Sequence, residues 1–166
     1  MEQIHTIAPV FDINSRILVL GSFPSVKSRK TQFFYGHPQN RFWKTLAAVM
    51  DCECPETTED KKKFLIDNHI AVWDVIKSCD IEGSADSSIK NVVPNDFTEI
   101  LSVADIRQIY ANGAASYNLY RKYCEKETER EIIKLPSTSP ANAQFSLERL
   151  IAEWSVIKDR LLPDNR

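Results

Sequence analysis

The sequence predicts an α/β protein: a three-layer α/β/α domain whose small, mainly parallel four-stranded sheet lies between helices. Three observations carry this expectation. Short apolar runs rich in β-branched residues alternate with segments whose apolar residues recur at helical spacing. Such alternation implies right-handed βαβ crossovers, hence parallel strands covered on both faces. A chain of 166 residues can bury one substantial core, and neither a repeat nor a linker divides it, so residues 1–166 read as a single domain.

Each element has its own signature. "RILVLGS" (16–22) is a buried strand feeding a loop at Gly21. From Asn40 onward, Phe42, Trp43, Leu46, Val49 and Met50 keep helical spacing, with Asn40 placed to cap the helix. "TTEDKKKFLIDNH" (57–69) opens on cap-like and acidic residues and predicts a second helix. It leads into the strand "IAVWDVI" (70–76). The polar stretch 78–96, with Gly83 and Pro94, reads as a long loop, and "FTEILS" (97–102) as a short helix. "IRQIYANG" (106–113) is a third strand, followed by a helix over 114–126. "REIIKLPSTSP" (130–140) is a fourth strand running into a Ser/Pro loop. Leu147, Leu150, Ile151, Trp154, Ile157 and Leu161 then share one helical face.

Composition narrows the function classes. Apolar content of 43% and charged content of 27% describe an ordinary globular protein. The net charge of −2 gives no global basic field, although a local patch suffices to contact phosphates. The N-terminus lacks the basic start and apolar run of a signal peptide, and no run reaches the roughly 20 apolar residues of a membrane span. A cytoplasmic, non-membrane protein is expected. Cys52, Cys54, Cys79 and Cys124 form no CxxC and no framework, so they read as reduced thiols; no metal site and no cofactor are expected.

In open α/β folds ligands bind beyond the carboxyl ends of the strands. That rule selects three loops: "GSFPS" (21–25), "FFYGHPQN" (33–40) and "LPSTSPANA" (135–143). The first is neither GxGxxG nor a P-loop. The last, small, hydroxyl-rich and stiffened by two prolines, suits backbone contacts to phosphates and equally suits a turn before the final helix. Just after the middle loop, Phe42 and Trp43 belong to the core by periodicity. Phe33, Phe34 and Tyr35 have no helical register, so at least one is expected to face a pocket, where an aromatic stacks well on a nucleobase. His37 reads as a turn residue or a general acid. Lys27, Arg29 and Lys30 read as surface charges or phosphate contacts.

Taken in order, "LVLGSFPS", "FFYGHPQNRFWK" and "IIKLPSTSPANA" resemble the motifs of the uracil-DNA glycosylase superfamily, and within it most the hypoxanthine-DNA (DNA-deoxyinosine) glycosylases, over residues 8–160. The resemblance implies a uracil-DNA glycosylase-like fold and a monomeric, monofunctional enzyme of base excision repair. Such an enzyme flips a deaminated base, here hypoxanthine, out of DNA and hydrolyses its N-glycosidic bond, leaving an abasic site. Gly21, Ser22, Phe23, Tyr35, Gly36 and His37 would line the base site, with Tyr35 stacking on the base. Ser25, Lys27, Ser137, Thr138, Ser139, Pro140, Ala141 and Asn142 would contact DNA, the last six clamping phosphates and wedging the vacated stack. The chain departs from many superfamily members at Phe23, where they carry an Asn or Asp that positions water. The resemblance instead places the catalytic amide at Asn40, to orient water or to hydrogen-bond the leaving purine. A uracil-preferring glycosylase and a non-catalytic nucleotide-binding module are the competing readings.

Overall fold

The computed structural model describes residues 2–162; Met1 and residues 163–166, included in the expected domain, lie outside the described residues. The strands in chain order are β1 (Glu2–Ile4), β2 (Ile17–Gly21), β3 (Ile70–Asp74), β4 (Ile76–Asp80), β5 (Lys90–Pro94), β6 (Gln108–Asn112) and β7 (Ile132–Leu135). The helices are α1 (Val26–Thr31), α2 (Phe42–Val49), α3 (Thr58–Asp67), α4 (Thr98–Val103), α5 (Ala114–Tyr123), α6 (Glu125–Thr128), α7 (Leu147–Trp154) and α8 (Lys158–Leu161).

Strands β2, β3, β6 and β7 form the expected parallel sheet in the order β3-β2-β6-β7. The period of two along each strand sends alternate side chains to opposite faces. Ile17, Val19, Ile70, Val72 and Tyr110 meet Phe42, Leu46, Leu65, Leu150 and Trp154, so α2, α3 and α7 cover one face. Leu18, Leu20, Ala71, Ile109 and Ala111 meet Ile100 and Tyr120, so α4 and α5 cover the other. Burying each large apolar side chain contributes about 1.5–3 kcal/mol, and this two-sided burial explains why the strands read as continuous apolar runs.

The structure differs from the sequence reading over residues 70–96. The strand expected to reach Ile76 ends at Asp74, and β4 starts two residues later. The expected loop contains β5, which pairs antiparallel with β4, while β4 also pairs with β1. Register shifts interrupt the β4–β5 ladder, so its side-chain alternation is broken and its polar composition masks the strands. Helix α1 was also not expected; its six residues begin at Ser25, whose hydroxyl caps Ser28 N. The long C-terminal periodicity is divided into α7, a 3₁₀ turn and α8, and the helix over 114–126 breaks at Cys124.

Candidate active site

Strand order reverses about β2, and a pocket of about 140 Å³ opens at the carboxyl ends there. That is far below the roughly 300–1,000 Å³ of drug-sized ligand sites, and suits one small planar group. Gly21 lines it at the end of β2, with Ser22, Phe23 and Ser25 in the loop that follows, Asp74 at the end of β3 and Asn112 at the end of β6. Ser137, Thr138 and Ser139 close it after β7, and Phe34, Tyr35 and Asn40 come from the aromatic loop. Ser84 and Asp86, from the β4–β5 connection, complete the wall. All three sequence-selected loops therefore meet.

Asn40 is held by a chain of hydrogen bonds. Its Oδ1 accepts from Phe42 N at 2.9 Å and from Thr138 Oγ1 at 2.8 Å. Asn112 grips Thr138 in turn, Nδ2 donating to Oγ1 and Oδ1 accepting from Thr138 N, both at 3.0 Å. The backbone donor at Phe42 fixes which end of the Asn40 amide is oxygen. Both acceptor positions of Oδ1 are thereby filled, and Nδ2, without a partner among the described residues, is a donor on a pocket-lining side chain. The formal N-cap of α2 is Arg41, which makes no side-chain cap, so Asn40 performs the capping from one position earlier. Capping and contact with a ligand use different atoms of Asn40, Oδ1 for the first and Nδ2 for the second.

A second constellation was not visible in the sequence. Asp74 is 3% exposed and interrupts an apolar strand at its carboxyl end. Its Oδ2 lies 2.7 Å from Nε2 of His5, a ring whose Nδ1 accepts from Ile7 N at 3.2 Å. Nδ1 being an acceptor, Nε2 carries the hydrogen and donates to the carboxylate. The other oxygen, Oδ1, converges with the Tyr35 hydroxyl over Gly21: a Cβ there would sit 2.4 Å from Oδ1 and 3.0 Å from the hydroxyl. Only glycine fits. The Tyr35 hydroxyl is buried without a hydrogen-bond partner, Asn112 lying beside it outside bonding geometry. Burial first, and the Asp74 charge second, push the Tyr35 phenol far above its ordinary range, against a smaller lowering by Asn112. One face of the Tyr35 ring stacks on Phe42, with centroids 3.9 Å apart, so a base can use only the opposite face. Asp86, at the wall, is raised by burial, lowered by the bond from Ser22 Oγ at 2.9 Å and raised again by Asp74.

The remaining expected residues are placed unevenly. Gly36 N donates to Ser28 Oγ at 2.9 Å, and His37 is exposed, its Nδ1 accepting from Gln39 N, so neither lines the pocket. Lys27 is exposed on α1 outside the pocket wall. Arg29 donates to Gly83 O and Ser25 O and lies over the Phe23 ring, which makes it a brace. Thr138 is 1% exposed with its hydroxyl engaged by Asn40 and Asn112, which gives its side chain an internal role in place of the expected phosphate contact. Ser139 to Asn142 form a turn closed by Asn142 N donating to Ser139 O, with Pro140 and Ala141 exposed at its tip. Arg41 holds this loop by donating to Ser139 O, Asn142 O and Phe145 O. Among the described residues no group of three or more His, Cys, Asp or Glu is placed to hold a metal ion.

Known proteins resemble this chain in sequence and in fold. The sequence model of the Uracil DNA glycosylase superfamily matches residues 8–159. A hypoxanthine DNA glycosylase of Methanosarcina acetivorans is 38% identical over 152 residues, covering 89% of this chain and 93% of the relative. One of Methanosarcina barkeri is 34% identical over 110 residues, covering 65% of this chain and 70% of the relative. A Methanosarcina acetivorans protein solved by solution NMR, described as a candidate uracil DNA glycosylase, superposes with a TM-score of 0.82 at 34% identity, covering 97% of this chain and 99% of that one.

Proposed function

The chain belongs to the uracil DNA glycosylase superfamily, and from that premise we propose that it is a monofunctional DNA glycosylase that excises hypoxanthine from deoxyinosine-containing DNA. The observation that carries the reading is the Asn40 amide, whose donor end belongs to a base-sized pocket at the strand ends while its acceptor end is tied down. Hydrolysis breaks the bond between C1′ and the purine nitrogen. The sugar becomes oxocarbenium-like, the bonding pair leaves with the base, water adds to C1′, and the proton that the water gives up neutralises the departed purine anion. A fixed N–H donor stabilises the negative charge growing on the departing purine, and it needs no reorganisation when the bond breaks. In this reading Asn40 Nδ2 is that donor. Its filled Oδ1 leaves no acceptor to draw a proton from water, which favours contact with the leaving base over water activation.

The supporting parts fit the same reaction. Among the described residues no lysine lines the pocket to form a Schiff base, consistent with a glycosylase that leaves an intact abasic site. Pro140 and Ala141 form a small rigid tip suited to fill the gap left by a flipped nucleotide, and Ser137 and Ser139 stand beside it at the pocket mouth. Ser25 and Lys27 are proposed on the phosphate path, Gly36 and His37 near the mouth, and the enzyme as a cytoplasmic monomer. Among the described residues no helix is long and apolar enough to cross a membrane.

The test is alkali-induced strand scission of labelled duplexes carrying hypoxanthine, uracil or xanthine. Hypoxanthine should be released fastest. Asn40→Asp keeps an acceptor for Phe42 N and Thr138 Oγ1 and deletes the donor. It should lower single-turnover release at least about 5- to 150-fold, the equivalent of about 1–3 kcal/mol, with little change in melting temperature. Full activity in Asn40→Asp would refute the assigned role.

A further inference from the structure

We propose that the free oxygen of Asp74 and the unpartnered hydroxyl of Tyr35 form a two-point reader of the lactam edge that deamination creates. The proposal rests on the glycosylase reading above and extends it from reaction to substrate class. Oδ2 of Asp74 is held by His5, so the side chain offers the pocket one oriented acceptor, Oδ1. Beside it, converging over Gly21, stands a hydroxyl that bonds nothing among the described residues. A buried orphan hydroxyl next to a buried carboxylate is costly in the free protein. That cost is removed when a ligand supplies the complementary pair.

The complementary pair is an N–H next to a C=O. Deamination of adenine makes it: N1 changes from acceptor to N1–H donor, and the 6-amino donor becomes the O6 acceptor. In the pocket N1–H donates to Asp74 Oδ1, and Tyr35 O–H donates to O6, an edge contact that replaces the face stacking expected of Tyr35. The elevated phenol pKa keeps that hydroxyl protonated. Uracil presents the same edge at N3–H and O4, and xanthine at N1–H and O6, so the pair defines a class of deaminated bases. Adenine and cytosine present a ring-nitrogen lone pair to an oxygen that can only accept, and they are rejected. A site built to hydrogen-bond a substrate discriminates strongly because a mismatch leaves buried polar groups unpaired. Guanine shares the edge, and its exclusion falls to the cost of extruding a base that is well paired.

Depth supports the assignment. Asp74 and the Tyr35 hydroxyl are buried, whereas Ser22, Ser25 and Ser139 are partly exposed. A flipped nucleotide enters base first, so the deepest groups meet the edge farthest from the glycosidic bond. For hypoxanthine that is the N1–O6 edge. Asp74 and Tyr35 are therefore specificity residues, and the bond-breaking is left to groups nearer the sugar.

Asp74→Asn inverts the reader. His5 Nε2–H must still be accepted, so the new amide turns its oxygen to His5 and its NH₂ to the pocket. The probes are duplexes carrying deoxyinosine or purine deoxyriboside, which lacks O6 and has an N1 acceptor. Intrinsic leaving ability differs between these bases but cancels in the ratio of their single-turnover rates across variants. The hypoxanthine-to-purine ratio should fall about 10- to 150-fold in Asp74→Asn, and about 5- to 150-fold in Tyr35→Phe, the scales of a lost charge-assisted bond and of an unpaired buried carbonyl. Equal losses on both bases in folded variants would overturn the proposal. Should the wild type release neither base, the glycosylase reading falls, and calorimetric binding of free hypoxanthine and free purine decides this one. Preference for hypoxanthine that vanishes in Asp74→Asn sustains it; equal binding overturns it.

Discussion

At the scale of single residues, the site is built from side chains whose stability and functional roles oppose each other. The Tyr35 hydroxyl is buried without a partner, so deleting it removes an unsatisfied group and leaves the Phe42 stacking intact. Tyr35→Phe is therefore expected to melt at or above the wild-type temperature while its preference for hypoxanthine over purine falls. A lowered midpoint, measured by calorimetry, would mean the hydroxyl has a structural partner in solution. Gly21→Ala is expected to act oppositely: its methyl would sit 2.4 Å from Asp74 Oδ1, so carboxylate or strand must move, and both stability and base selectivity should fall. Part of this chemistry was legible in the sequence. Tyr35 and Asn40 stand in a segment with a recognisable pattern, and both reach the pocket. Asp74 was hidden inside "IAVWDVI", because a strand pattern tolerates one polar residue and period alone does not say where the strand ends. His5 and Asn112 were unmarked, since their roles depend on partners 69 and 26 residues away. The readable signal was a carboxylate at the carboxyl end of a strand otherwise buried on both faces.

At the scale of elements, the parallel sheet was legible because its strands are apolar on both faces, whereas the antiparallel sheet was not. β1 has three residues, β5 is mostly exposed, and the β4–β5 register shifts erase alternation. The unread connection matters, since it carries Ser84 and Asp86 to the pocket wall. The link between α2 and the loop after β7 was also unreadable. Arg41 sits at the start of α2 and donates to three carbonyls between Ser139 and Phe145. A planar guanidinium reaches several acceptors at once, which an ammonium on a flexible stem does not reproduce. Arg41→Lys should therefore loosen the loop without unfolding the sheet. Hydrogen exchange is expected to accelerate for amides 139–145 and to change little in β2 and β6, with weaker binding to abasic-site DNA. Uniform protection across the loop in the variant would show that its own turn, closed by Asn142 N and Ser139 O, is sufficient.

At the scale of the molecule, the two sheets meet at His5. Its backbone N–H donates to Lys77 O at 2.7 Å, continuing the β1–β4 pairing, while its ring donates to Asp74 at the end of β3. The ring is itself packed between Phe23, Phe34 and Trp73, with centroids 5.9, 6.2 and 6.3 Å away. One residue thus ties the antiparallel sheet, the aromatic loop and the pocket floor together. Two roles can be separated by substitution. His5→Phe preserves an aromatic ring for the packing and removes the donor, leaving Oδ2 of a buried carboxylate unpaired; losing a hydrogen bond to such a charged group costs about 1.5–3 kcal/mol. His5→Gln restores an amide N–H at the end of a side chain of similar reach and gives up the ring. If the hydrogen bond to Asp74 organises the site, His5→Phe should melt well below the wild type and lose its preference for hypoxanthine over purine. His5→Gln should then recover much of that preference despite poorer packing. The opposite order, with Phe near wild type and Gln defective in both melting and base preference, would show that His5 serves as an aromatic wedge and that Asp74 is oriented by β3 alone.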